Sequence, residues 1–167
     1  MKIIVAVDKE WGIGKNNDLL FHLPLDMKYF REQTSHKIVA MGSNTLASFP
    51  GGNPLPNRTN IVLFPGGEKR ADCQIVDSLQ ELASEFSKYN SDDIFIIGGA
   101  YFYHTMLPYC DEALITKVDS VGGATVFFDN LDKLDNWQCI SESETLSTNG
   151  FDIKFTKYKN NEVKKFL

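Results

Sequence analysis

The sequence predicts a single α/β domain built on a mostly parallel, twisted central sheet of about eight strands, flanked by about four helices and ending in an antiparallel hairpin. Three observations predict it. Short, β-branched and nearly continuous apolar runs, the pattern of strands covered on both faces, alternate with segments of helical length and spacing. The 167 residues match one domain of ordinary size. Beyond Val118 the alternation stops, and two strand-like runs are joined through Thr148-Asn149-Gly150, a hairpin turn signal.

Taken in order, residues 3–7, 38–41, 60–64, 74–76, 94–97 and 113–118 read as buried strands. Residues 25–34, 43–49, 78–88 and 100–107 read as the helices between them, and Leu79, Leu82, Ala83 and Phe86 form one apolar face of the third. Residues 137–144 and 153–158 then form the hairpin. The domain is expected to span residues 1–158, with 159–167 a short, polar and loosely held tail.

Seventeen Lys and Arg stand against 22 Asp and Glu, a net charge of −5. That balance lacks the basic footprint required by nucleic acid or an anionic membrane surface. No apolar stretch approaches the ~20 residues of a membrane span, and the first apolar run is too short for a signal peptide. Cys73, Cys110 and Cys139 are scattered without C-x-x-C spacing, which predicts reduced thiols in a cytoplasmic protein. His22, His36 and His104 have no metal-like spacing, so no metal is expected. Arg31, Arg58 and Arg70 are the whole supply of forked anion donors.

Ligands of open α/β sheets bind beyond the carboxyl ends of strands. Two strand-to-helix junctions fit that rule. Ile97-Gly98-Gly99-Ala100 would bring backbone N–H groups close to a phosphate, although a tight turn that binds nothing has the same composition. Met41-Gly42-Ser43-Asn44-Thr45 repeats the arrangement, with ordinary capping by Ser43 or Asn44 as the alternative. In Leu23-Pro24-Leu25-Asp26-Met27, Pro24 suits a first helical turn. At ~100° per residue Leu23, Asp26, Met27 and Phe30 share one stripe, which puts a carboxylate on a face that should be buried. A cationic or amidine-like ligand edge would be its partner, although a first-turn Asp is also favourable at the helix dipole. Pro54-Leu55-Pro56-Asn57-Arg58 is a rigid turn that could hold an arginine for a carboxylate. There is no nucleophile elbow and no Walker A motif.

Ile13-Gly14-Lys15, Phe21-His22-Leu23-Pro24-Leu25-Asp26, Met41-Gly42, Pro54-Leu55-Pro56-Asn57-Arg58-Thr59-Asn60 and Ile97-Gly98-Gly99 occur in the order and spacing of dihydrofolate reductases. The chain resembles that family over about residues 1–158. The resemblance implies NADPH-dependent reduction of 7,8-dihydrofolate, by hydride transfer to pterin C6 and protonation at N5, in a monomeric cytoplasmic enzyme. It makes Asp26 the pocket carboxylate, supported by Thr116, with Phe21 and Leu19 in the lid near the reacting atoms. Ile4, Ala6, Met27, Phe30, Phe49, Leu55 and Ile97 would line the folate site, and Arg58 would hold the glutamate α-carboxylate. Ala6, Ile13, Gly14, Leu19, Gly42, Ser43, Asn44, Thr45, Leu63, Phe64, Ile97, Gly98, Gly99, Ala100, Tyr101 and Tyr103 would meet the cofactor. Residues 9–21 would be a mobile lid over the nicotinamide. The same resemblance admits two other readings, a pyrimidine reductase of riboflavin synthesis with this fold and a non-catalytic pterin- or nucleotide-binding module.

Several positions depart from the family pattern. Leu20 and Phe21 stand where a Pro-Trp pair is usual. Ser43 and Tyr101 occupy positions where arginine is common or occurs, and Phe64-Pro65 replaces a small polar pair. The cationic grip on the adenosine 2′-phosphate is therefore reduced; either Lys69 or Arg70 substitutes for it, or discrimination between NADPH and NADH is weak.

Overall fold

The computed structural model describes residues 1–167. The chain runs β1 (Lys2–Val7), β2 (Gly12–Lys15), β3 (Asp18–Leu19), α1 (Pro24–Thr34), β4 (Ile38–Gly42), α2 (Ser43–Ser48), β5 (Thr59–Leu63), β6 (Gln74–Val76), α3 (Leu79–Phe86), β7 (Ile94–Ile96), α4 (Ala100–Met106), β8 (Glu112–Val118), β9 (Val126–Phe127), β10 (Trp137–Glu142), β11 (Leu146–Thr148) and β12 (Phe151–Asn160). The strand order of the main sheet is β10-β12-β8-β1-β7-β4-β5-β6, and β11 is paired on β12. From β8 to β6 every pairing is parallel. β12 lies antiparallel to β8 and β10 antiparallel to β12, which makes the sheet mixed at one end.

The apolar runs dictate this arrangement, because a parallel strand with no polar face must be covered on both sides. On one face α3 and α4 bury Leu82, Phe86, Phe102 and Met106 against Ile3, Ala40, Ile61, Ile96 and Ile115. On the other, Leu46 of α2 joins Ile4, Val39, Met41, Val62, Phe95 and Leu114, with Tyr29 and Phe30 of α1 packed over them. β1 sits between β7 and β8, where the strand order reverses, so a crevice opens beyond its carboxyl end.

Three readings of the sequence need correction. The Thr148-Asn149-Gly150 turn joins β11 to β12, with Asn149 and Gly150 at positive φ, while β10 leads into β11 through residues 143–145. Residues 12–19, expected only as lid, form a small sheet in the order β3-β2-β9. Its strands are two to four residues long and carry no apolar periodicity, so nothing in the pattern marks them. The tail from Lys159 is not loose. Lys159 and Asn160 continue β12; the buried Asn160 side chain donates to Cys110 O at 3.0 Å, and Lys164 N donates to Pro108 O at 2.9 Å. Phe166 stacks on Tyr109 at 4.9 Å and on Phe86 at 6.0 Å, an apolar anchor hidden in a polar stretch.

Removing that anchor exposes apolar surface on Phe86 and Tyr109. Phe166→Ala is expected to lower stability by about 1–2 kcal/mol, less than the cost at a fully buried Phe. A urea midpoint equal to that of the parent chain would show that the tail does not dock.

Candidate active site

α1 begins where Pro24 supplies a preset φ at the first helical position, and Leu25 N donates to Thr148 Oγ1 at 3.2 Å. This start places Asp26 over the carboxyl half of β8. Thr116, buried between Ala6 of β1 and Phe155 of β12, donates its hydroxyl to Asp26 Oδ1 at 2.6 Å. Tyr29, one turn on, stacks on Phe155 with ring centroids 4.2 Å apart and fixes the helix against the sheet. Asp26 has one hydroxyl donor and no basic residue in ion-pair contact. Its surroundings withdraw solvent, so burial pushes the carboxyl up from the usual range, and the Thr116 hydrogen bond offsets part of that rise. The stripe on α1 is only partly covered: Leu23 is buried, Asp26 and Phe30 are half-buried, and Met27 is 48% exposed.

Most of the residues expected to line the folate site pack in two adjoining apolar clusters, which together form an apolar wall. Ile4 and Ile97 belong to one buried cluster, and Phe30, Phe49 and Leu55 pack against it. Ala6 and Phe21 border the neighbouring cluster of Leu23, Val118 and Ile153. Arg58 lies at the edge of this wall, its guanidinium 6.0 Å from the Phe30 ring. Nε donates to Pro56 O at 2.9 Å and Nη1 to Thr34 Oγ1 at 3.2 Å. Partial burial and Arg31 nearby both lower its pKa, and no carboxylate of the chain neutralises it. A residue not anticipated holds the turn. Buried Asn60 accepts from Leu55 N at 3.0 Å and donates to Leu55 O at 2.9 Å and Arg58 O at 3.2 Å. An amide, with both donors and acceptor, is the side chain that can close such a turn on both sides. Its position at the head of a strand hid that role.

On the other side of β1 the two glycine junctions meet. Gly98 and Gly99 are joined by a cis peptide bond, and Gly98 has φ +133°. A β-carbon on Gly98 would approach Thr45 Oγ1 at 3.2 Å and the Tyr103 ring at 3.6 Å. Gly98 O accepts from Gly42 N at 2.8 Å, so β4 and β7 end side by side. Ser43 and Asn44 open α2, and Ala100 opens α4. Tyr103 is buried and donates its hydroxyl to Ile4 O at 2.8 Å, a wall beneath the junction. Tyr101 is 81% exposed and Phe64 is 41% exposed. Leu63 packs at the edge of the larger core. Lys69 Nζ donates to Ile75 O at 2.8 Å, and Arg70 forks onto Asp72 at 2.8 and 2.7 Å, so both cations are engaged within their own loop.

The segment expected as lid leaves β1 and returns at Phe21. Ile13 packs at the edge of the core, Gly14 pairs with Leu19 in the β2–β3 hairpin, and Leu19 is 76% exposed. Phe21 lies 4.8 Å from Phe151 and abuts Gly122.

The raised Asp26 pKa has a consequence for stability. Below the unfolded value of 3.8 the carboxyl is neutral in both states and burial is nearly free; above the folded value the charged form is penalised. The structure is thus less stable at neutral pH than an uncharged isostere would make it. Asp26→Asn is expected to raise the thermal midpoint at pH 7, with the difference vanishing as pH falls toward 3. A lower midpoint at pH 7 would show that the Thr116 bond outweighs desolvation.

A family model described as dihydrofolate reductase matches residues 1–160. The chain is similar to the dihydrofolate reductase of Bacillus subtilis, 34% identical over 162 residues that cover 95% of this chain and 94% of that one. It is 30% identical to the Staphylococcus haemolyticus dihydrofolate reductase, over 95% of each chain. The solved structure of the Enterococcus faecalis enzyme, complexed with NADP(H) and RAB-propyl, superposes with a TM-score of 0.84 at 27% identity and covers 96% of this chain and 95% of that one. The motifs, the half-buried Asp26 on Thr116 and these relatives agree, and the chain belongs to the dihydrofolate reductase family.

Proposed function

We propose that the chain works as its family does, reducing 7,8-dihydrofolate to 5,6,7,8-tetrahydrofolate with NADPH as hydride donor, in the crevice beyond β1. The observation that carries this reading is the Asp26–Thr116 pair facing the apolar wall. A planar pterin would bury its faces on Ile4, Ala6, Phe30 and Phe49 and set its amidine-like edge, a ring nitrogen and the 2-amino group, on the Asp26 carboxylate. That edge is a bidentate donor, so it supplies the partner that the carboxylate lacks. Held in this way, the carboxylate orients the ring and favours protonation at N5, which is delivered through solvent. Arg58, prepositioned by Asn60 and Pro56, takes the glutamate α-carboxylate. A pyrimidine reductase of riboflavin synthesis needs no such guanidinium, and a mere binding module needs no desolvated acid. The enzyme acts as a cytoplasmic monomer with no nucleic-acid partner, in keeping with its acidic charge.

The residues fit the cofactor. α3 is capped by the Ser78 side chain, which accepts from Glu81 N, whereas α2 and α4 are capped by Gly42 and Gly99 with no side-chain acceptor. The first-turn N–H groups of both helices are thereby left for an anion, as a diphosphate requires. When bound, the nicotinamide supplies the hydride for pterin C6. Thr45, Gly98, Gly99 and Ala100 would hold the diphosphate, and Ile13, Gly14 and Leu19 would cover the nicotinamide. Arg70, which lines a cavity of about 380 Å³ with Leu46, Phe64, Glu68 and Ile75, is the substitute cation for the 2′-phosphate, reached by exchange from Asp72.

Asp26→Asn is expected to cut kcat/KM at pH 7 by ~10²-fold or more, the scale of a positioned acid–base group. Arg58→Ala is expected to raise KM for dihydrofolate ~10- to 100-fold, from loss of a charge-assisted pair, and to leave KM unchanged for a dihydropterin lacking glutamate. Near-normal values in both would remove these residues from the site. For the 2′-phosphate, Arg70→Ala is expected to lower the NADPH/NADH ratio of kcat/KM and Lys69→Ala to leave it unchanged; an unaltered ratio in both would exclude the substitution.

A further inference from the structure

One exposed aromatic ring stands at the edge of the cofactor crevice without a part in the reaction. Phe64 follows β5 directly, and its N–H donates to Val76 O at 2.9 Å, so it continues the ladder to β6. Side chains alternate along a strand. Leu63 packs at the edge of the core beneath α3 and α4, Val62 belongs to the cluster beneath α2, and Phe64 falls on the Val62 side. There it lines a cavity of about 380 Å³ together with Leu46, Ile75, Glu68 and Arg70. The chain then reverses. Pro65 and Gly66 take the two central positions, Gly66 has φ +72°, and Gly67 N donates to Phe64 O at 2.9 Å, the pattern of a type II turn. This turn brings Gly67 against the ring, where a β-carbon would collide with Phe64 Cγ and Cδ1. The ring is therefore seated on backbone that only glycine provides, and it stays 41% exposed.

A dinucleotide that sets its nicotinamide over β1 and its diphosphate at the ends of β7 and β4 carries its adenosine onward to the next strand in the order, β5. Leu63 pairs with Gly42, so the residue after Leu63 stands about 4.8 Å, one strand spacing, from the end of β4. A phenyl ring has no donor for a phosphate. Of the two bases that offer it a π-face, nicotinamide is spent at the pterin, and adenine remains. We propose that Phe64 is a specificity-determining residue of the cofactor site: its ring, fixed by the 64–67 turn, stacks on adenine, so that the adenosine end is held through its base whether or not a 2′-phosphate is present. This inference rests on the reading of the crevice as a dinucleotide site. It gives two neighbours in one cavity separate tasks. Arg70 selects NADPH over NADH, and Phe64 adds affinity for both and for any adenine nucleotide with a 5′-diphosphate.

The test is equilibrium titration without dihydrofolate, read by tryptophan fluorescence, of NADPH, NADH, ADP and reduced nicotinamide mononucleotide, in parent, Phe64→Ala, Phe64→Tyr, Gly67→Ala and Arg70→Ala. Phe64→Ala is expected to raise the dissociation constants of NADPH, NADH and ADP by a common factor of ~10, the scale of one lost base–aromatic stack, and to leave the mononucleotide, which has no adenine, at the parent value. Phe64→Tyr keeps the π-face and is expected to stay within about twofold of the parent. Gly67→Ala, which pushes the ring out of its seat, is expected to reproduce the loss, whereas Arg70→Ala is expected to weaken NADPH alone. Parent-like constants in Phe64→Ala, with or without a lowered thermal midpoint, make the ring turn packing only and overturn the proposal. A loss confined to NADPH, or one shared by the mononucleotide, overturns it as well. Should Phe64→Ala not fold, parent-like constants in Gly67→Ala overturn it equally. A parent chain that binds NADPH no more tightly than the mononucleotide places no adenosine on the protein, and the dinucleotide reading itself then fails.

Discussion

The 2.6 Å hydrogen bond from Thr116 to Asp26 joins an element made early in the chain to a strand ninety residues later, and the site is organised around it. It exists only if β8 lies beside β1 in the register that pairs Ala6 with Thr116, and if α1 starts at Pro24. Shifting β8 by one residue would turn Thr116 to the opposite face. The neighbouring contacts guard that register. Phe155 opposes Thr116 from β12 and carries Tyr29, so the strand that supplies the hydroxyl and the helix that supplies the acid are tied by a second, apolar contact.

Anion binding is arranged with little charge. The acidic chain holds three arginines, of which Arg70 is forked onto Asp72 and Arg58 alone borders the apolar wall. At Gly42 and Gly99 the absence of side-chain caps keeps the N–H donors and peptide dipoles of α2 and α4 available to an anion, which is why the proposed diphosphate site is placed there. Such donors are fixed by the sheet, so they lose no side-chain entropy on binding.

The main strands and all four helices were legible because each is a run whose periodicity or apolar continuity is self-contained. Leu82 and Phe86 could be assigned to a buried face from spacing alone, and they are buried. Asp26 stood out by its apolar company. What escaped depends on individual hydrogen bonds and contacts that periodicity does not record. Asn60 looked like the first residue of a strand, and its role in bracing Arg58 follows from bonds that reach back to Leu55. Phe166 was lost among lysines. Strands β2 and β3 are too short to carry a pattern; they pair with each other locally, and β2 also pairs with β9, more than a hundred residues away.

Two carboxylates near the carboxyl end of β1 show how donor count separates chemistry from architecture. Asp8 is surrounded by three backbone donors, so its lone pairs are used and its position is over-determined. Asp26 has one hydroxyl and an apolar wall, which leaves an oxygen free for a ligand. A buried acid with unmet acceptor capacity costs stability until a donor arrives, and a ligand that brings two parallel N–H groups recovers that cost on binding. The energy withheld from folding at Asp26 is thus available to such a ligand edge, whereas the three backbone bonds of Asp8 leave that carboxylate with a structural part.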